Sequence, residues 1–225
     1  MDEMNKMEPM MTEPATEETS RYSEAVVRRA PLMAKWLWVM FWVNIAHIII
    51  NFIKIESSVV YTTIQGTLAN VCTLVICFSL FKMRGEDKRY SLAALFTLIP
   101  IVLDIVFGVL IGYGDSTGMV IFVALVSVIL SLLATYNEYH AHSCIVGGLD
   151  CDLGDRWQKL WVWQIIGIAG TFVSLLLTTL AAGFGAVVMI IVAIYLLVIQ
   201  IIYLVTLYRS AQAYRAVVEG EGDVE

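Results

Sequence analysis

Six long apolar stretches separated by polar breaks organise the chain, at about 35–53, 58–82, 91–113, 118–140, 158–182 and 185–208. An α-helix needs about 20 residues at 1.5 Å rise to cross a hydrocarbon core of about 30 Å, and each stretch supplies roughly that. The pattern predicts an all-α, polytopic membrane protein, a bundle of six transmembrane helices. Three breaks are very short, Lys54 to Ser58, Gly114 to Gly118 and Gly183 to Gly185, so the helices pair into three tight hairpins. Turns of that size leave almost no mass on their side of the membrane, which excludes a receptor ectodomain or a surface enzyme.

Lys and Arg set the orientation. Arg28, Arg29 and Lys35 precede the first span, and Lys82, Arg84, Lys88 and Arg89 lie between the second and third. Arg156 and Lys159 precede the fifth, and Arg209 and Arg215 follow the sixth, whereas the opposite breaks hold only Lys54. Positive residues stay inside, so both termini are expected in the cytoplasm. The first apolar run follows a long acidic tail and lacks a small-residue cleavage site, so it reads as a retained span and not as a cleaved signal. Short loops of this kind suit a plasma membrane, with a bacterial inner membrane as the expected location.

Composition sharpens this picture. The chain is 59% apolar and only 15% charged, too little polar surface to cover a soluble fold. The net charge of −6 resides in the tails: Met1 to Glu24 holds seven acids against Lys6 and Arg21, and the last 17 residues hold four acids against two arginines. No basic face exists for nucleic acid. Met1 to about Ala25 is acidic, with no apolar period, and reads as a disordered tail; the domain limits are drawn as tail 1–30, membrane domain 31–210 and a short acidic tail 211–225. Met1, Met4, Met7, Met10 and Met11 are thioethers able to hold Cu(I), but an acidic cytosolic stretch reads as solvated tail, and no cofactor is expected.

Chemistry, if any, must come from polar residues inside the spans. Asp104 is the only acid well within one, with Pro100 a turn earlier, and an intramembrane acid suggests function because its insertion is costly. By helical rise, Asp104, His47 and Gln65 share one depth, and Asn44, His47 and Asn51 share a helix face. Asn44, His47, Gln65 and Asp104 therefore form a candidate polar layer, either a ligand or proton site or a set of hydrogen bonds that pins the helices together.

A second cluster runs from Tyr136 to Cys144 and on to Cys151. Glu138, His142, Cys144 and Cys151 are zinc-competent, and Glu138 and His142 at i and i+4 can face one ion, but the spacing matches no zinc signature. An interfacial helix end is the plainer account, with a Gly147-Gly148 break and Asp152 or Asp155 capping the fifth helix. The cysteines are expected as free thiols on a reducing side. Gln164 and Gln200, near the inner ends of their spans, are expected to bond neighbouring helices. Gly108 and Gly112, and Gly167 and Gly170, are cues for close helix packing.

No nucleophile elbow, zinc-protease helix, phosphate loop or dinucleotide fingerprint occurs, so no enzyme is expected. In general shape the six-span core resembles the substrate-binding membrane subunits of vitamin uptake transporters, without the Ala-x-x-x-Ala pattern of their first helix. Two functions are expected to compete, the first favoured and the second its alternative, because the polar layer is thin and no transporter signature accompanies it. One is a structural or regulatory bundle assembling in the lipid bilayer with itself or with another membrane protein. The other is a small solute or ion transporter, or substrate-binding membrane subunit, built on the polar layer.

Overall fold

A computed structural model of the chain describes residues 23–52, 59–107 and 117–222. Among these there is no strand; six helices follow one another: α1 (Glu24–Phe52), α2 (Val59–Met83), α3 (Lys88–Ile105), α4 (Thr117–Gly147), α5 (Cys151–Leu180) and α6 (Ala182–Gly222). Five of them are long and apolar enough to cross a membrane. The exception is α3, whose 18 described residues include Lys88, Arg89 and Asp104. The methionine-rich tail, the Lys54 to Ser58 turn and the Gly108–Gly112 pair lie outside the described residues.

Several helices outrun the apolar stretches. α1 begins at Glu24, within the expected tail 1–30, and α6 runs on to Gly222 through the expected tail 211–225. The cause is packing beyond the apolar run. Val26, Ala30, Met33, Leu37, Met40 and Asn44 are all buried and spaced by three or four residues, a single stripe along α1. Ile199, Tyr203, Leu207, Ser210, Tyr214 and Val217 form the matching stripe of α6. Charged residues occupy the other faces of these extensions, so hydropathy misses them while the helices continue.

Each helix packs on its sequence neighbours, and α1 closes the circle against α6, so the six helices form a ring. Aspartates start two of them: Asp87 Oδ1 accepts from the Arg89 amide of α3 at 2.8 Å, and Asp150 Oδ1 accepts from the Leu153 amide of α5 at 3.2 Å. Asp150 is thus the α5 cap, where Asp152 or Asp155 was expected, because α5 starts at Cys151 and takes both later acids into its first turns. At this corner a Cβ on Gly154 would stand 2.7 Å from Gly147 Cα and 3.0 Å from the Ser143 carbonyl, so α4 and α5 meet backbone to backbone. Gly167 and Gly170 serve similarly, lying under Leu196 and Val192 of α6.

Packing is uneven along the ring. The largest fully buried side chains, among them Trp157, Tyr90, Tyr214, Met33, Met40, Met83 and His142, gather toward the end from which α1 starts and at which α6 finishes. Toward the opposite end the helices expose broad apolar faces, such as Phe122, Leu176 and Ile190. That distribution suits helices whose outer faces are covered by lipid.

Candidate functional site

Immediately inside the packed end, four helices turn polar side chains into the ring. Asn44 of α1, Thr135, Glu138 and Tyr139 of α4, Gln164 of α5, and Gln200 and Tyr203 of α6 line a cavity of about 200 Å³. The helices α1 and α4 are not neighbours in the ring, so the cavity lies in its interior. Asn44 and Gln200 are each nine residues from the basic residue that ends the apolar run, Lys35 and Arg209 respectively. At 1.5 Å rise that places both about 14 Å deep.

Among the described residues, Glu138 is the only acid lining the cavity. Its Oε1 accepts from the Tyr203 hydroxyl at 2.8 Å, and Asn44 also lies against that hydroxyl. Among the described residues no Lys or Arg lies within ion-pair distance of it. One helical turn on, His142 Nε2 faces the same Oε1 at 3.8 Å, beyond hydrogen-bond range. This imidazole is fully buried and its Nε2 has no hydrogen-bond partner, while Nδ1 lies 2.9 Å from the Tyr90 hydroxyl. When Tyr90 donates, Nε2 carries the imidazole proton toward Glu138; when Tyr90 accepts, Nε2 presents a lone pair there.

An aromatic layer floors the cavity. Trp157 stacks on His142 with ring centroids 4.4 Å apart, and contacts Tyr139 and Tyr203 at 5.5 and 5.6 Å. Its Nε1 donates to Ser210 Oγ at 3.1 Å, and Ser210 in turn donates to the Thr206 carbonyl. The Trp157 indole N–H, the Tyr203 hydroxyl and His142 Nδ1 are thus each directed by a neighbour, whereas His142 Nε2 is not. Below it, Tyr214 donates to the Ile145 carbonyl at 2.7 Å and completes the closure of the packed end.

No protein family model, curated protein or solved structure matches this chain. The site must be read from its own residues.

The residues selected from the sequence are distributed over the whole bundle. Asn44 is buried and in the cavity. Gln65 is at the far end, where its Nε2 donates to the Ile50 carbonyl and ties α2 to α1 at 2.8 Å. His47 is half-buried, one turn beyond Asn44, and its carbonyl accepts from the Asn51 amide at 2.9 Å. Asp104 is exposed near the far end of α3, and α1 and α3 share no broad face. Of the zinc-competent set, only Glu138 and His142 face each other. Cys144 is exposed and receives Arg89 Nη1 at 3.3 Å, and Cys151 turns back to the Gly147 carbonyl. Among the described residues no three His, Cys, Asp or Glu side chains converge on one point, and all four cysteines are free.

Gln164, Gln200, Tyr203, Thr135 and Tyr139 complete the cavity without having been selected as a site. For Gln200 the available signal was its distance from Arg209, equal to that of Asn44 from Lys35. Two larger hollows, of about 650 and 430 Å³, are grooves at the packed end between α1 and α6 and between α5 and α6. Each carries charges of both signs at its surface, Lys35, Arg215 and Glu219 in one and Asp150, Asp152, Arg156 and Arg209 in the other, so neither focuses a single chemistry.

Proposed function

We propose that the chain is a six-span integral protein of the plasma membrane, with both termini cytoplasmic, that holds a small polar solute between α1, α4, α5 and α6 as a transporter or solute-binding subunit. Five apolar helices support the membrane setting. The clustering of Lys and Arg at the packed end supports the orientation. One observation carries the function: a carboxylate, three side-chain amides and two tyrosines from four helices converge on one interior cavity. Polar groups at that depth are expensive, and a set exceeding what helix pinning needs points to a ligand. The reading is of binding, with no bond made or broken.

The competing reading, a scaffold assembling with itself or with another membrane protein, treats the same groups as helix glue. Native mass spectrometry of the full chain, extracted gently from its host membrane, separates the two. The binding reading expects a small discrete adduct that disappears in Glu138→Gln and in Gln200→Ala and persists in Asp104→Asn. A protein carrying only lipid, or a stoichiometric protein partner whose attachment ignores Glu138→Gln, overturns it in favour of the scaffold.

A further inference from the structure

The chemistry of the cavity narrows its ligand. Glu138 contributes the one formal charge among the lining residues, and it is negative. An anion placed beside it would be repelled in a setting of low dielectric. Neutral solutes would be hydrogen-bonded by the amides of Asn44, Gln164 and Gln200 but would make no use of the negative charge that Glu138 can carry, whereas a cation pairs with it. A volume of about 200 Å³ exceeds what a bare metal ion fills; at about 30 Å³ per water it has room for roughly six water-sized groups.

We propose that the solute is a small organic cation, an ammonium or guanidinium compound, that binds the Glu138 carboxylate in exchange for a proton. The proposal rests on the reading of the cavity as a solute site and names its substrate class. The Tyr203 hydroxyl holds the Glu138 carboxyl in place, and the buried imidazole turns its unpartnered Nε2 toward it at 3.8 Å. The titratable groups facing Glu138 are His142 and Tyr139 from its own helix, Tyr203 from α6, Tyr90 from α3 and Cys77 from α2. None is a lysine or arginine, so no built-in cation competes with the solute. On binding, the Glu138 O–H bond breaks, the proton leaves to solvent and the organic cation takes its place, leaving the charge of the site unchanged. His142 is a positioning residue: Tyr90 sets which of its ring nitrogens carries hydrogen, and with it whether the carboxylate or the acid is favoured.

The test is calorimetric titration of the full chain in mild detergent with methylammonium, guanidinium or tetramethylammonium chloride at millimolar concentration, against sodium chloride at equal ionic strength. Saturable heat is expected for at least one organic cation, with affinity falling as pH is lowered from 8 to 5.5 because proton and cation compete for one carboxylate. Paired buffers of different ionisation enthalpy should report proton release on binding. Glu138→Gln should lose tenfold or more in affinity, as expected for a charge-assisted contact, whereas Glu138→Asp should retain most of it. Affinity independent of pH, or heat with sodium alone, overturns the proposal using the wild-type protein only, so a misfolded variant does not protect it. A native adduct lost in Gln200→Ala, combined with no organic-cation heat, refutes the cation class and leaves the cavity as a site. No adduct and no heat remove both.

Discussion

Removing the Trp157 side chain should destabilise the bundle more than removing any other tryptophan near the same depth. Trp157 is fully buried, stacks on His142 at 4.4 Å, touches Tyr139 and Tyr203, and donates to Ser210. Trp157→Ala deletes all of these contacts at once and leaves a cavity within the aromatic layer. Truncation of buried aromatic residues to alanine costs about 3–5 kcal/mol. The Ser210 hydroxyl retains its bond to Thr206, so the lost indole bond adds little to that figure. For a chain of this size about 1 kcal/mol corresponds to ~2–4 °C, so the midpoint should fall by at least about 6 °C. Trp163, on the same helix, is 37% exposed and turned outward; Trp163→Ala should cost less than about 1 kcal/mol. The assay is thermal unfolding in one mild detergent, followed by helical ellipticity and by monodispersity on gel filtration. Equal losses for the two variants would refute the claim that packing is concentrated in the layer beneath the cavity.

Further expectations follow from single contacts. Gly154→Val should lower the unfolding midpoint by an amount equivalent to about 1–3 kcal/mol, because its Cβ meets Gly147 backbone at 2.7 Å, where neither helix can yield; Gly220→Val, with open space around it, should change it little. Tyr90→Phe removes the sole hydrogen-bond partner of His142 Nδ1 and leaves that nitrogen buried without one, at a cost of about 1–3 kcal/mol in the same assay; an unchanged midpoint would mean that the contact does not form. Gln65→Leu should loosen the far end of the α1–α2 hairpin, seen as faster amide exchange near Ile50, while leaving solute binding intact, because the clasp lies outside the cavity.

The helical, membrane-type character of the chain was legible because lipid contact leaves long apolar runs, and those runs fix where the helices cross. They do not fix where helices end. Glu24 to Ala34 and Arg209 to Gly222 are helical because one face, Val26 and Ala30 or Tyr214 and Val217, packs onto the ring while charged residues dilute the average hydropathy. The site was legible only in part. Asn44 and the i, i+4 facing of Glu138 and His142 could be read from spacing. The polar run from Tyr136 to Cys144 was harder, because its two faces do different things: Tyr136 and His140 turn outward to Trp161, while Glu138 and His142 turn into the ring. Average polarity placed that run at the headgroups. Asp104 drew attention as an acid inside an apolar run, but it lies near the far end of α3 on an exposed face, away from the polar groups gathered in the ring. Which helices face one another across the ring has no local signature, so the meeting of Gln164 and Gln200 with Glu138 required the tertiary structure.

The central claim is that the interior cavity is a polar solute site reached by water inside an otherwise lipid-facing bundle. Cysteine accessibility tests it most directly. With Cys72, Cys77, Cys144 and Cys151 replaced by serine, single cysteines are placed at Gln200, in the cavity, and at Val198, 47% exposed on the apolar face of the same helix. Intact membranes are then treated with a small, water-soluble thiol reagent, which reacts only with a hydrated thiolate. The account predicts modification at Gln200→Cys and none at Val198→Cys. A Gln200→Cys thiol as inert as the Val198→Cys thiol, in protein of unchanged helicity, would contradict it.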